Sequence, residues 1–362
     1  IEQKKADREA EEAWMPLHVL AAESEENAET AVAEAENSDA EAAQESEEPD
    51  EFEQVGWDRF VRHFENKPDY FLPEREQQLR YVLFSGSRPR QIYRNGAKKK
   101  SASDISGALQ TVLFCPEDLM VLKTGAAPRR RLGDNALCQL RPNYEAALAE
   151  YNRILEQKNR ILKDRFDNPA VEAILPEYDT RLCQVGALLI SYRARFYDSL
   201  GKAAARYHGQ FSGGAEEFAL HYKTVSTVTD PFAPVAELTQ QLLDHLERHY
   251  RAELETAQCL TGPHKDDFDI SLSGIDLKAY GSQGQTRTGA ISLKLAQREL
   301  MGREWGEEPV LLLDDVLSEL DPGRQDFVLN QIVSGQVFIT CCEPGRFTKL
   351  GKTIEISKGN II

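Results

Sequence analysis

From Asn143 to about Tyr250, apolar residues recur every three or four positions, the spacing of one face of an α-helix. Tyr144, Leu148, Tyr151, Leu155 and Leu162 form one such stripe and predict a long amphipathic helix over 143–164. Val171 to Tyr207 and Val235 to Leu254 predict further helices, and stripes of this kind are read as core. Near the C-terminus the pattern changes. Val310 to Leu313 is an uncharged aliphatic run, short enough to be a strand buried on both faces of a parallel sheet, and Asp314 and Asp315 follow it directly. The carboxyl end of such a strand is where α/β sheets place ligand chemistry. There Asp314 can hold Mg²⁺ through a coordinated water, and Asp315, turned away, can orient or deprotonate an attacking water. A core strand that ends in two solvated carboxylates is the plainer reading of the same residues.

Roughly thirty residues upstream, AYGSQGQTRTGAISLKLAQREL (Ala279 to Leu300) predicts a Gly-Ser-Gln-Gly loop opening an amphipathic helix. Ala290, Ile291, Leu293, Leu295 and Ala296 lie on its apolar side. The first amides of a helix lack intrahelical acceptors, so with the Ser282 hydroxyl they form an anion site. Between Arg80 and Lys100 the chain reads as a β-hairpin: RYVLF and RQIYR are strand-like, and Asn95-Gly96 favours a type I′ turn. Lys98, Lys99 and Lys100, with Arg88, Arg90 and Arg94, make this the most basic exposed region. Contact with DNA phosphates and protection of an edge strand both account for it.

The two C-terminal stretches, spaced as they are, resemble the signature motif, Walker B motif and D-loop of ATPases related to ABC transporters and SMC proteins. More narrowly, they resemble the RecF family of bacterial recombination mediators. Four further stretches follow that family's pattern and order: VLFCPEDLMVLKTGAAPRRR (Val112 to Arg131), NYEAALAEYNRILEQKNRILKD (Asn143 to Asp164), TGPHKDDFDI (Thr261 to Ile270) and GQVFITCCE (Gly335 to Glu343). The resemblance runs from about Tyr81 to the end. It implies an α/β fold, an ABC-type, P-loop NTPase-like ATPase head, incomplete at its N-terminus, with an inserted α-helical lobe. The helical stretch is too short for an SMC-like coiled-coil arm.

The same resemblance implies site residues. ATP would be enclosed between two copies of the chain, with Asp314 (for Mg²⁺) and Asp315 on one side. Ser282, Gln283, Gly284 and Gln285 would come from the other, the amides of Gly284 and Gln285 reaching the γ-phosphate. Asp321 of the D-loop would couple the halves, and Thr340 stands where the family senses the γ-phosphate. Arg129, Arg130 and Arg131 would clamp phosphate or bridge to acidic residues of a second subunit, a solvated charge cluster being the alternative. The family's usual aromatic and aliphatic residues before Asp134 are replaced by Leu132 and Gly133, which leaves the helix expected to start there in question. His264, Asp266 and Asp267 read as a structural loop or subunit contact rather than a metal site.

A phosphate-gripping G-x-x-x-x-G-K-[S/T] between a strand and a helix occurs nowhere in the sequence. Gly345 to Thr353 has one residue too many between its glycines and runs into TIEISKGNII, a strand pattern. The chain opens on Ile1, and the expectation is a sequence that starts after the family's P-loop.

At 362 residues and 41% hydrophobic, the chain can bury a large core. Its formal charge of −17 seems adverse to DNA, yet between Arg8 and Arg59 there is no Lys or Arg and there are eighteen Asp and Glu. The remainder is close to neutral, and local patches decide whether phosphates are attracted. Six cysteines without C-x-x-C spacing fit a reducing cytosol and argue against zinc, and no apolar stretch approaches the roughly twenty residues that span a bilayer. The expected organisation is an acidic, disordered tract over 1–56 and an unplaced segment over 57–79. Then follow the β-rich remainder of lobe I over 80–135, helical lobe II over 136–258 and the C-terminal ATPase part over 259–362.

By resemblance the function is slow ATP hydrolysis by a cytoplasmic homodimer, an activity the chain as given is expected to lack because it contains no P-loop. It would bind single-stranded and gapped DNA at junctions with duplex and help RecO and RecR load RecA. Two alternatives remain: a nucleotide-independent DNA-binding or scaffold protein, and a different SMC-like ATPase subunit.

Overall fold

The computed structural model describes residues 17–20, 76–84, 89–101, 103–332, 334–342, 351–357 and 360–361. Most of the acidic tract, residues 57–75, Arg88 and most of Gly345 to Thr353 lie outside the described residues. The chain divides into two compact units, Ile1–Ala108 and Leu109–Ile362.

The first unit is an antiparallel four-stranded sheet in the order β1 (Leu17–Leu20), β2 (Glu76–Val82), β3 (Gln91–Arg94), β4 (Ala97–Lys99). Asn95 and Gly96 adopt φ of 50° and 77°, the left-handed pair that a type I′ turn needs. That turn joins β3 to β4, so RQIYR pairs on both sides, with Leu79–Val82 and with Ala97–Lys99, in place of a single hairpin. β1 falls within the segment expected to be disordered. Lys98 and Lys100 stand exposed along the outer strand and just past it.

The second unit holds the expected helices with shifted ends: α1 (Ala126–Leu140), α2 (Pro142–Asp164), α3 (Leu175–Ser212) and α4 (Val235–Thr256). The helix foreseen from Val171 starts at Leu175, because Pro169–Ile174 forms a 3-10 turn opened by the Asn168 side chain, which accepts from the Ala170 amide at 3.2 Å. Gly213, at φ 62°, ends α3 in the left-handed cap that glycine adopts without strain. Cys183, Ala187 and Ile190 of α3 pack with Leu238, Leu242 and Leu246 of α4. Leu238 and Leu242 are fully enclosed, and each such leucine contributes about 1.5–3 kcal/mol.

Two sheets meet this helical core. One is antiparallel, in the order β6 (Phe218–Lys223), β7 (Asp267–Leu272), β8 (Ile275–Asp276). The other is parallel, in the order β10 (Val337–Thr340), β9 (Val310–Asp314), β5 (Thr111–Phe114), with β9 central. Its Val112, Phe114, Leu311 and Leu313 are at most 3% exposed. The opposite face carries the row Leu113, Leu312 and Phe338, of which Leu113 and Phe338 are 47% and 45% exposed. The strand expected to be buried on both faces is thus buried on one. TIEISKGNII forms a short antiparallel ladder, β11 (Ile356–Ser357) with β12 (Asn360–Ile361), rather than one strand. Among the described residues no helix is long and apolar enough to cross a membrane.

Candidate functional site

The parallel pairing of β9 with β10 sets Thr340 directly beside Asp314, at the carboxyl ends of both strands. The Thr340 hydroxyl donates to Asp314 Oδ1 at 2.7 Å and accepts from the Asp315 amide at 3.0 Å, so one side chain ties both carboxylate residues together. Asp315 has φ 51°, a left-handed conformation that Asp tolerates better than most residues. This bend redirects the chain, and the Ser318 hydroxyl, 2.9 Å from Asp315 Oδ1 and 2.6 Å from its carbonyl oxygen, closes the turn. Asp314 is exposed and Asp315 half-buried. Two carboxylates of different orientation and exposure at a strand end make a hard-oxygen donor set that fits Mg²⁺.

Ser282 caps α6 (Gln283–Trp305), which follows the single turn α5 (Leu277–Tyr280). Its hydroxyl accepts from the Gln285 amide at 3.2 Å, while Gln285 Oε1 accepts from the Ser282 amide at 2.9 Å, a reciprocal capping box. The Gln285 amide is therefore already engaged. The amides at the first two helical positions, Gln283 and Gly284, are the ones that lack intrahelical acceptors, which corrects the expectation that Gln285 offers its own. The Gln285 side chain also donates to Glu216 Oε1 at 2.7 Å. His208 Nε2 lies 2.8 Å from the other Glu216 oxygen, and these two contacts hold the Glu216 carboxyl below its usual range.

Lys123, which the sequence did not single out, fixes the approach to this loop. Its ammonium donates to the carbonyls of Leu277 (3.1 Å), Lys278 (2.9 Å) and Gly281 (2.9 Å), closing the end of α5. Lys294 fixes α6 to the sheet, donating to the Leu113 carbonyl at 2.8 Å and pairing with Asp118 at 3.0 Å. The helix expected to be amphipathic is enclosed at every position from Thr288 to Arg298. Lys294, Gln297 and Arg298 are buried: Arg298 reaches the Ser334 carbonyl at 2.5 Å and Glu308 at 3.2 Å, while Gln297 Oε1 and Arg298 Nε make no hydrogen bond. A lysine amid Ile291, Leu293, Leu295 and Ala296 was the available signal.

Asp321 caps α7 (Pro322–Asn330), its Oδ1 accepting from the Arg324 amide at 3.1 Å. The Arg324 guanidinium pairs with the same carboxylate and holds it below the ordinary range. Arg324 Nε also donates to Thr288 Oγ1 of α6 at 3.2 Å.

The arginine triplet divides. Arg129 is 2% exposed and grips both Asp267 oxygens along one edge, Nε at 2.6 Å and Nη2 at 2.7 Å, while Nη1 donates to the Thr124 carbonyl at 2.7 Å. Its role is internal, which corrects its assignment to DNA or a second subunit: a bidentate, buried pair leaves no donor edge for an outside phosphate. Arg130 donates to the Asp266 carbonyl at 2.7 Å, and Arg131 is exposed. The helix that was in question, α1, runs unbroken through Leu132 and Gly133, and glycine stands at 133 where a Cβ would collide with the buried Tyr197 hydroxyl.

The GPHKDD loop is held by internal hydrogen bonds and an ion pair. His264 Nδ1 meets the Tyr151 hydroxyl at 2.7 Å and Nε2 meets the Cys259 carbonyl at 3.0 Å, so Nε2 carries the proton and Nδ1 accepts. Burial lowers its pKa from 6.5 to about 4. Asp266, pushed up by burial, is paired with Arg193 at 2.8 Å, and Arg193 also binds Asp134 (2.9 Å), the Tyr144 hydroxyl (3.0 Å) and the Pro263 carbonyl (2.6 Å). Among the described residues no group of three or more His, Cys, Asp or Glu could hold a metal ion.

No family model matches the chain. The protein called DNA replication and repair protein RecF of Agathobacter rectalis is 38% identical over 282 residues, 75% of either chain. That of Acetivibrio thermocellus is 36% identical over 248 residues, 68% of this chain and 67% of its own. Among solved structures, the recombination mediator protein RecF-ATP in the RecFOR pathway superposes with a TM-score of 0.69 at 32% identity, covering 75% of this chain and 72% of that one. The RecF-ATPrS form gives a TM-score of 0.71 at 30% identity, covering 79% and 76%. With sequence and fold in agreement over three quarters of its length, the chain belongs to the RecF family.

Proposed function

We propose that this chain supplies the hydrolytic strand and the signature loop of a DNA-repair ATPase that closes on ATP as a homodimer. One observation carries the reading: Thr340 ties Asp314 and Asp315 at the end of the central parallel strand, in a chain whose relatives include RecF solved with ATP. Asp314 would hold Mg²⁺, which neutralises phosphate charge and polarises the terminal phosphoryl group. Asp315, aimed elsewhere by its left-handed backbone, orients and deprotonates the attacking water. Ser282 and the first-turn amides of α6 receive the γ-phosphate of the opposing copy, where helix-end partial charge favours an anion.

ATP then holds the two copies together, and hydrolysis releases them, so the lifetime of the clamp on DNA depends on nucleotide. Its DNA is a junction of single and double strands or a gap, met through phosphates by Lys98, Lys99, Lys100, Arg130 and Arg131. RecO, RecR and RecA are its partners in loading recombinase, in the cytoplasm.

The test uses the family's P-loop segment joined ahead of this chain. Sedimentation with ATP should give a dimer. Ser282→Arg should leave a folded monomer, and DNA binding should weaken steeply as salt rises. A Ser282→Arg protein that dimerises normally with ATP removes the signature loop from the interface and ends the proposal.

A further inference from the structure

Asp321 and Ser282 belong to different elements, the caps of α7 and α6, yet both are expected to act on the opposing copy. What joins them within one copy is Arg324. Besides its contacts to Asp321 and Thr288, its Nη2 lies so close to the signature helix that a Cβ on Gly284 would come within 2.9 Å of it. Its guanidinium carbon also sits 5.5 Å from the Phe211 ring centroid, on the last turn of α3. Each edge of the fork thus has a partner on a different element. A second tie runs parallel: Arg287 of α6 donates to the Glu319 carbonyl at 2.5 Å and lies 3.6 Å from the Glu319 carboxylate.

The electrostatics fit a preset bracket. The amino end of α6 carries partial positive charge, and a guanidinium beside it is unfavourable unless an anion offsets it. Asp321, paired with the same guanidinium, supplies that negative charge. Glycine at 284 lets the guanidinium sit this close, since a methyl group there would meet Arg324 Nη2 at 2.9 Å and push the guanidinium away from the helix. Lysine, with a point charge in place of a planar fork, could reach Asp321 or Thr288 but not span both.

We propose that Arg324 is a positioning residue that locks Asp321 and the signature loop of Ser282 into one rigid piece, which meets the nucleotide of the opposing copy as a unit. The proposal rests on the shared-site reading given above and adds which residue sets the geometry. Because the bracket acts across the interface, Arg324 serves its partner's site and not its own.

Mixed dimers separate the two cases, using the protein with the family's P-loop segment and phosphate release as the readout. A trace of test chain, too dilute to dimerise alone, is mixed with a large excess of Asp315→Asn chain, which cannot hydrolyse. Wild-type trace should be stimulated by this excess, and Arg324→Gln trace should match it within about twofold, because the residue facing its nucleotide is intact. Wild-type trace mixed with excess Arg324→Gln/Asp315→Asn chain should fall at least about tenfold, with an intermediate loss for the Arg324→Lys form of the excess partner. Equal loss in both arrangements, or loss only when Arg324→Gln is in the trace chain, would overturn the proposal. If excess Asp315→Asn chain fails to stimulate wild-type trace, the shared site itself is wrong, and the proposal goes with it.

Discussion

Replacing Thr340 with valine keeps the shape of the side chain and deletes a single hydroxyl, yet that hydroxyl makes two bonds at the end of β9. It donates to Asp314 Oδ1 at 2.7 Å and accepts from the Asp315 amide at 3.0 Å. A net hydrogen bond is worth about 1 kcal/mol, and because these residues are not deeply buried that middle value is the appropriate one. Losing both frees the two carboxylates by about 2 kcal/mol of orientation. If that orientation matters only when water attacks, turnover should fall about 30-fold. Nucleotide affinity should change by less than about threefold, and stability should fall by no more than about 2 kcal/mol, the sum of the two bonds. Steady-state phosphate release gives the first quantity, calorimetric titration with nucleotide the second and urea unfolding the third. Thr340→Ser should restore most of the activity. Turnover within twofold of wild type, or a loss of affinity equal to the loss of turnover, would refute the reasoning, because the hydroxyl would then hold nothing specific to the hydrolytic step.

Three perturbations address the frame around the site. Arg193→Met strips the buried Asp266 of its counter-ion and should cost about 3–5 kcal/mol in urea unfolding. Burial already raises the Asp266 pKa, and removing Arg193 raises it further. A raised folded pKa gives stability that is present below the unfolded value and lost as pH rises through the folded one, so the deficit of this variant should shrink as pH falls through that raised value toward the ordinary carboxylate range. A loss that does not shrink on acidification would remove Asp266 from the account. His264 runs the other way: its folded pKa of about 4 lies below 6.5, so the unfolded chain takes up the proton first and stability drops as pH falls between those values. His264→Gln should lose that part of the slope, and an unchanged slope would assign it to other groups. Gly133→Ala should lower stability by about 2 kcal/mol, since Tyr197 is 1% exposed and has nowhere to retreat. An unchanged urea midpoint would mean that α1 can shift.

Periodicity made the helical stripes legible, because Tyr144, Tyr151 and Leu162 report a buried face directly and all three are at most 1% exposed. The strand Val310–Asp314, the helix opened by the Gly-Ser-Gln-Gly loop and the left-handed turn at Asn95-Gly96 were equally readable, since each depends on local chemistry. What could not be read was where long side chains go. Arg129 and Arg131 look alike in sequence, yet the first ends on Asp267, 138 residues away, and the second in solvent. Lys123 reaches carbonyls more than 150 residues downstream. Nothing local marks such destinations. The departure at Leu132-Gly133 seemed a weakness until Tyr197, on another helix, supplied its reason.

The half-open face of the parallel sheet has a chemical consequence for Asp314. Leu113, Leu312 and Phe338 lie on the same side of the sheet as Asp314 and Thr340, because side chains alternate along each strand. Any segment that seats on those three residues displaces water from the strand end as well. Electrostatic attraction strengthens as the local dielectric falls, so the carboxylate and whatever cation it holds would be bound more tightly by the same event that finishes the hydrophobic packing. Completion of the core and readiness for chemistry are thereby made a single step, and a chain with the row uncovered keeps its acidic pair in the weakest medium for catalysis.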